Sequence, residues 1–181
     1  MSLVYVFAAS EMEGRPVKRL MGAGSSASCA GSLHARPCGE NQVVLIITGM
    51  GALAARKRCR TALGLGPGNS GLAAHAQPDA VLMTGLCGAL SASLDEGAIV
   101  VYTEVRSTQP GRPPLQCARG LAERIADLLT SRRVPCELVK GITSSRIAAN
   151  REEKLRLAQS GASVVDMESY EIASAAMEAG A

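Results

Sequence analysis

Five branched aliphatic residues in a row, Val43-Val44-Leu45-Ile46-Ile47, lie inside a strand-like stretch from Gln42 to Thr48. Successive side chains of a strand point to opposite faces, so a run that is apolar at every position needs cover on both sides. The run ends in Gly49-Met50-Gly51 and passes into a helix-forming stretch from Ala52 to Leu63. This order, buried strand, small-residue turn, helix, recurs along the chain. It points to an α/β fold, a three-layer α/β/α sandwich around a central mixed sheet.

The other expected strands are Leu3–Ala8, Ala80–Met83, Ala98–Val105, Cys136–Ile142 and Ala162–Val165. Between them, Ala9–Pro16 reads as a strand end running into a helix, with Pro16 in the first helical turn and Val17, Leu20 and Met21 as its apolar face. Leu115–Thr130 reads as an amphipathic helix carrying Leu121, Ile125, Leu128 and Leu129 at helical spacing. Asn150 caps a further helix through Ala158. The stretch from Gly22 to Gly39 reads as a loop with a short edge strand, and Gly64–Gly71 as a glycine-rich break. At 181 residues, one domain with a full core is expected.

Composition removes several functions. Tyr5, Phe7, Tyr102 and Tyr170 are the only aromatic residues, too few for a platform that stacks single-stranded nucleic acid. A net charge of +3 argues for neither nucleic-acid nor membrane binding. The apolar runs are too short to span a bilayer. Cys29, Cys38, Cys59, Cys87, Cys117 and Cys136 are dispersed without a CxxC pair, and His34 and His75 are the only histidines. No zinc site is expected, and dispersed thiols suit a reducing, cytoplasmic setting. Gly49-Met50-Gly51 could present backbone N–H groups to an anion at the start of a helix. A tight turn needs the same glycines. Ala54 stands where the dinucleotide-binding fingerprint requires its last glycine, which argues against an oxidoreductase.

Asp166-Met167-Glu168-Ser169 lies where a β-branched run, Ala162–Val165, hands over to the helix formers after Tyr170. In open α/β sheets ligands bind at the carboxyl ends of the strands. Two readings follow. Asp166 or Ser169 caps the helix while Glu168 favours its positive end, or the carboxylates serve a ligand.

Val165-Asp166-Met167-Glu168-Ser169 resembles the ribose-binding Met-Glu element of the nucleoside phosphorylase and nucleosidase superfamily. That family includes purine nucleoside phosphorylases, methylthioadenosine/S-adenosylhomocysteine nucleosidases and hopanoid-associated phosphorylase-like proteins. Pro78-Asp79 through Thr84-Gly85-Leu86-Cys87-Gly88-Ala89-Leu90 is similar to its Thr-Gly-x-x-Gly-x-Leu loop. Asp95–Val101 is similar to its Gly-Asp-hydrophobic strand, and Gly49-Met50-Gly51 also stands in order.

The resemblance implies cleavage of an N-glycosidic bond through an oxocarbenium-like transition state. It implies that Glu168 accepts hydrogen bonds from the ribose hydroxyls, that Met167 packs on the sugar, and that Glu13 orients and deprotonates water. Thr84, Gly85, Cys87 and Gly88 would line the substrate loop, with Ile147 near the base and Arg106 on the sugar-phosphate side. Arg106 reads equally as a surface cation, Glu13 as a helix-start carboxylate, and Cys87 as a small filler.

Met83 and Leu86 replace the phosphate-binding Arg and Ser of the phosphorolytic branch, so hydrolysis is favoured, with phosphate as a possible co-substrate and no other cofactor. Ile147 stands where an aromatic residue would stack on the purine. The family's leaving-group acid is an Asp on a further strand, expected after Gly180-Ala181. An enzyme acting on a purine-type nucleoside is therefore the first expectation. A nucleoside-binding or scaffold member with impaired catalysis is the second. Relatives assemble as dimers or hexamers, so a homo-oligomer is expected by analogy.

Overall fold

A computed structural model of the chain describes residues 2–22, 26–27, 33–66 and 77–181. The expected break at Gly64–Gly71 and loop at Gly22–Gly39 lie partly outside these residues, as do Cys29 and His75. The chain divides into two compact units, residues 1–86 with 174–181, and residues 87–173.

The first unit holds β1 (Leu3–Ala8), α1 (Glu11–Met21), β2 (Ser26–Ala27), β3 (Leu33–Cys38), β4 (Asn41–Ile47), α2 (Ala52–Ala62) and β5 (Ala80–Met83). Its sheet runs β2-β3-β4-β1-β5. β1 pairs in parallel with β4 and β5, placing Phe7 beside both Ile46 and Met83. β3 is antiparallel to β4 and to β2, so the sheet is mixed. Tyr5, Phe7, Val44 and Ile46 are buried, and so are their neighbours Val6, Ala8 and Leu45. Consecutive buried residues confirm a sheet covered on both faces.

On one face Val6, Ala8, Leu45 and Ile47 pack with Met21 and Val17 of α1. Gly14 permits that approach: a Cβ there would lie 2.7 Å from Ile47 Cδ1. The buried stripe of α1 is thus 14, 17 and 21. Leu20, expected on the apolar face, lies about 60° round the helix from Val17, about 100° from Met21 and about 120° from Gly14, at the margin of that stripe, and is 84% exposed. Pro16 sits inside the helix and not in its first turn, because capping at Ser10 starts α1 at Glu11.

The second unit holds β6 (Gly88–Ala89), β7 (Ile99–Ser107), β8 (Leu115–Gln116), α3 (Arg119–Ser131), β9 (Cys136–Thr143), α4 (Arg151–Ala158), β10 (Val164–Asp166) and the start of α5 (Ser169–Ala179). Its sheet runs β6-β10-β9-β7-β8, with β7, β9 and β10 parallel and the short edge strands antiparallel. Val164 packs with Leu94 and Val139, while the next residue, Val165, packs with Ile142 and Ala162. This sheet too is covered on both faces.

The mixed α/β architecture expected from the sequence is therefore present, its strands hydrogen-bonded as two five-stranded groups. The helix expected from Leu115 begins only at Arg119. Pro113-Pro114 holds the preceding backbone extended, and Leu115 and Gln116 pair with Val105 and Glu104. Leu128 is more than half exposed, off the stripe of Ala122, Ile125 and Leu129. Asn150 caps α4 as expected, its Oδ1 accepting from Glu153 N at 2.9 Å. Among the described residues, no helix is long and apolar enough to cross a membrane, and no group of three or more His, Cys, Asp or Glu could hold a metal.

Candidate functional site

The expected site residues fall into two sets, one in each unit. In the first, Ser10 and Glu13 cap α1 reciprocally. Glu13 N donates to Ser10 Oγ at 3.3 Å, and Ser10 N donates to Glu13 Oε2 at 2.8 Å. Ser10 Oγ also lies 2.9 Å from Oε2 and donates to it. The other carboxylate oxygen, Oε1, accepts from Leu86 N at 2.9 Å. An added Cβ at Gly85 would stand 3.1 Å from that oxygen, so glycine lets the loop backbone close on the carboxylate. Thr84 N donates to Phe7 O at 2.9 Å and carries the ladder one residue past β5.

A carboxylate offers about four lone-pair directions. Ser10 and Leu86 use three on Glu13, leaving one on Oε1 for a further donor such as water. Glu13, Thr84, Gly85 and Leu86 therefore form one local cluster. Gly49 and Gly51 fall between Glu13 and Thr84 in sequence, in the turn from β4 to α2, with φ of 85° and 89° that only glycine adopts readily.

In the second set, Asp166 ends β10 and is buried. Its Oδ1 accepts from Thr143 Oγ1 at 2.7 Å and from the backbone N–H groups of Glu168 and Ser169 at 3.1 Å each. Ser169 Oγ donates to Oδ2. Thr143 Oγ1 in turn accepts from Tyr170 N at 2.9 Å. Asp166 is thus the cap of α5, as one of the two readings held, and it is saturated by the fold. Glu168, only 6% exposed, stands at the start of the same helix, where the positive end of the macrodipole favours a negative charge. Met167 beside it is half-buried. A buried carboxylate in this place can accept charge-assisted hydrogen bonds.

Two features near Asp166 were not anticipated. The Tyr102 hydroxyl lies against the Asp166 carboxylate and the Cys87 thiol; burial first, then the Asp166 charge, pushes its pKa well above the ordinary phenol value. Its ring covers Gly141, where a Cβ would meet the ring at 2.3 Å. A glycine inside the strand Cys136–Thr143 is the sequence signal for such a close approach. Cys87 is exposed as a residue, yet desolvation raises its thiol pKa, so it is held as a thiol and not as a thiolate nucleophile. Gly88 pairs with Val165 and leaves 3.3 Å between a Cβ and Val165 Cγ1.

The remaining candidates stand differently. Arg106 Nε donates to Glu104 Oε1 at 2.6 Å, and its Nη1 donates to the Ser160 carbonyl. Glu104 is buried and also accepts from Gln116 Nε2 at 2.8 Å. The Arg106 bond, then the Gln116 bond, hold its carboxyl below the usual range. Arg106 is thereby engaged in a structural cluster. Ile147 is 73% exposed.

The fold is shared with known enzymes. The 5′-methylthioadenosine/S-adenosylhomocysteine nucleosidase of Helicobacter pylori, solved with butyl-thio-DADMe-Immucillin-A, superposes with a TM-score of 0.85 at 16% identity, covering 99% of this chain and 81% of that one. The futalosine hydrolase of Helicobacter pylori gives 0.85 at 15% identity, covering 99% and 80%. The S-adenosylhomocysteine nucleosidase of Streptococcus pyogenes gives 0.82 at 18% identity, covering 99% and 79%. No curated protein sequence matches the chain. A sequence family described as the phosphorylase superfamily matches residues 23–181. That match spans both units and most of the chain, and the chain belongs to the phosphorylase superfamily.

Proposed function

We propose that the protein cleaves the N-glycosidic bond of a purine-type nucleoside, by hydrolysis in preference to phosphorolysis. The observation that carries this reading is the buried Glu168 carboxylate at the start of α5. Its backbone N–H is fixed by Asp166, so the residue is set in place before any ligand arrives. Glu168 accepts hydrogen bonds from the ribose hydroxyls, and Met167 packs on the sugar. Water, held by the remaining lone pair of Glu13 Oε1, adds to the anomeric carbon as the carbon–nitrogen bond breaks. The bonding pair leaves with the base, which takes a proton from solvent, and Glu13 takes the proton of the attacking water and later returns it to solvent. Thr84, Gly85, Cys87 and Gly88 form the loop beside the substrate. Met83 and Leu86 offer no charge to a phosphate, which supports hydrolysis. The three enzymes named above share the fold and are hydrolytic by name. On this reading the protein acts on a small molecule in the cytoplasm as a homo-oligomer, a dimer or hexamer.

A second reading, nucleoside binding with impaired catalysis, has its own support. Glu13 spends three of its four acceptor directions on Ser10 and Leu86, which restrains a would-be base. One experiment addresses both. Adenosine, inosine and 5′-methylthioadenosine are each incubated with the protein, with and without phosphate, and released base is followed. Hydrolysis gives equal release in both. Release only with phosphate refutes the preference for hydrolysis, and tight binding without release supports the second reading. Neither binding nor release with any of the three would sink both.

A further inference from the structure

Arg112 lies in the segment between Ser107 and Leu115, more than fifty positions from Glu168 in sequence, and nothing in the mechanism above uses it. Its guanidinium donates through Nη1 to Glu171 Oε1. Its Cζ stands 5.2 Å from the centre of the Tyr170 ring, a cation–π distance. The Tyr170 hydroxyl donates back to the Pro113 carbonyl at 2.8 Å. Three contacts of different kinds therefore fasten residues 112–113 to residues 170–171, the first turn of α5.

Glu171 and Tyr170 are buried, at 5% and 3% exposure. A buried ion pair gains little net stability over an apolar pair, because both charges lose their water. Its value lies in geometry: the planar guanidinium bonds the carboxylate and covers the ring in one orientation only. That orientation reaches Glu168 directly, since Glu171 N and Ile172 N donate to the Glu168 carbonyl at 3.0 and 3.2 Å. From the other side, Thr143 and Asp166 hold Tyr170 N and Glu168 N. The backbone of Glu168 is thus gripped from β9 and β10 on one side and, through α5, from Arg112 on the other.

We propose that Arg112 is a positioning residue for Glu168, fixing through Glu171 and Tyr170 the turn of α5 that presents this carboxylate to ribose hydroxyls. The proposal rests on the nucleoside reading. Arg112 touches no substrate; it sets how well Glu168 distinguishes a sugar that carries both hydroxyls from one that lacks them.

The test compares adenosine or inosine, whichever the wild type takes, with its 2′,3′-dideoxy counterpart. The readout is the ratio of kcat/KM for the two, or of affinities if there is binding without turnover. The wild type is expected to prefer the ribonucleoside by roughly a hundredfold, the scale of two charge-assisted hydrogen bonds. Arg112→Ala is expected to shrink that preference about tenfold, within the range of coupling between contacting residues. A merely structural role would weaken both nucleosides alike and leave the ratio unchanged, and that result overturns the proposal. If Arg112→Ala does not fold, as judged by circular dichroism, Arg112→Lys carries the test. It keeps the charge but lacks the planar fork, and an unchanged ratio there overturns the proposal equally. A wild type with no preference for the ribonucleoside refutes the nucleoside reading itself, and this proposal with it, before any variant is compared.

Discussion

The starts of α1 and α5 meet the same physical need by different means. Both helices open on N–H groups that lack helical partners, and both carry a candidate functional carboxylate in or beside the first turn. At α1 the candidate does the capping itself: Glu13 bonds Ser10 and, with its other oxygen, Leu86 N. At α5 the capping falls to Asp166, which accepts from Glu168 N and Ser169 N and is itself bonded by the Ser169 hydroxyl, and the candidate Glu168 is a different residue from the cap. The lesson is that structural and chemical duties are fused in one residue at α1 and divided between neighbours at α5. Substitutions at the two places should therefore read out differently.

The largest effect on stability is expected at the dedicated cap. Asp166→Ala leaves the buried Thr143 hydroxyl and two N–H groups without their acceptor, and should cost on the order of 4 kcal/mol in urea unfolding. A loss under about 1 kcal/mol would mean that α5 is held by packing alone. Glu13→Ala comes next. Losing half a capping box and the acceptor of Leu86 N should cost about 1.5 kcal/mol, together with loss of base release. If activity falls with no change in stability, the two duties at α1 are not fused.

Glu104 provides a carboxylate whose work is structural. Its pKa is lowered in the folded protein by Arg106 first and Gln116 second. Its contribution to stability is therefore complete above the unfolded value, near pH 4.3, and is lost as pH falls through the lower folded value. Glu104→Gln should lower stability in the neutral range and flatten the acid limb of the profile below about pH 4.5, so that variant and wild type converge at low pH. An acid limb identical to wild type would place the lost protonation elsewhere. The smallest stability effect is expected for Glu168→Gln, which keeps the side chain's volume and one acceptor oxygen in place. The same variant should cut nucleoside cleavage roughly a hundredfold. A large unfolding cost at this position would erase the contrast with Glu13.

Much of the fold was legible where one residue type dominates locally. The runs Leu3–Ala8, Val43–Ile47 and Val164–Val165 are aliphatic or aromatic at every step, and each lies in a largely buried strand. Legibility failed where a distant partner decides. Leu115 suits a helix by composition, yet β7 pairs it as strand. Leu20 suits an apolar face, yet the close approach at Gly14 sets the stripe elsewhere. In the site, the strand-to-helix position of Asp166 and Glu168 was readable, since capping and acidity are local signals. The division of labour between them was not, because it depends on Thr143, more than twenty positions away. Arg112 and Glu171 are 59 positions apart and share no periodicity. Tyr102 could have been suspected only from the glycine at 141, whose missing side chain makes room for its ring.

That missing side chain makes positions 102 and 141 a single choice written in two places. One volume is shared between β7 and β9, and the ring at 102 occupies it because nothing projects from 141. A methyl at 141 evicts the ring, and with it the hydroxyl beside Asp166. A smaller side chain at 102 leaves the volume empty unless 141 grows. The two positions can change together more easily than either can change alone, so the path by which this sheet could be remodelled runs through a double substitution.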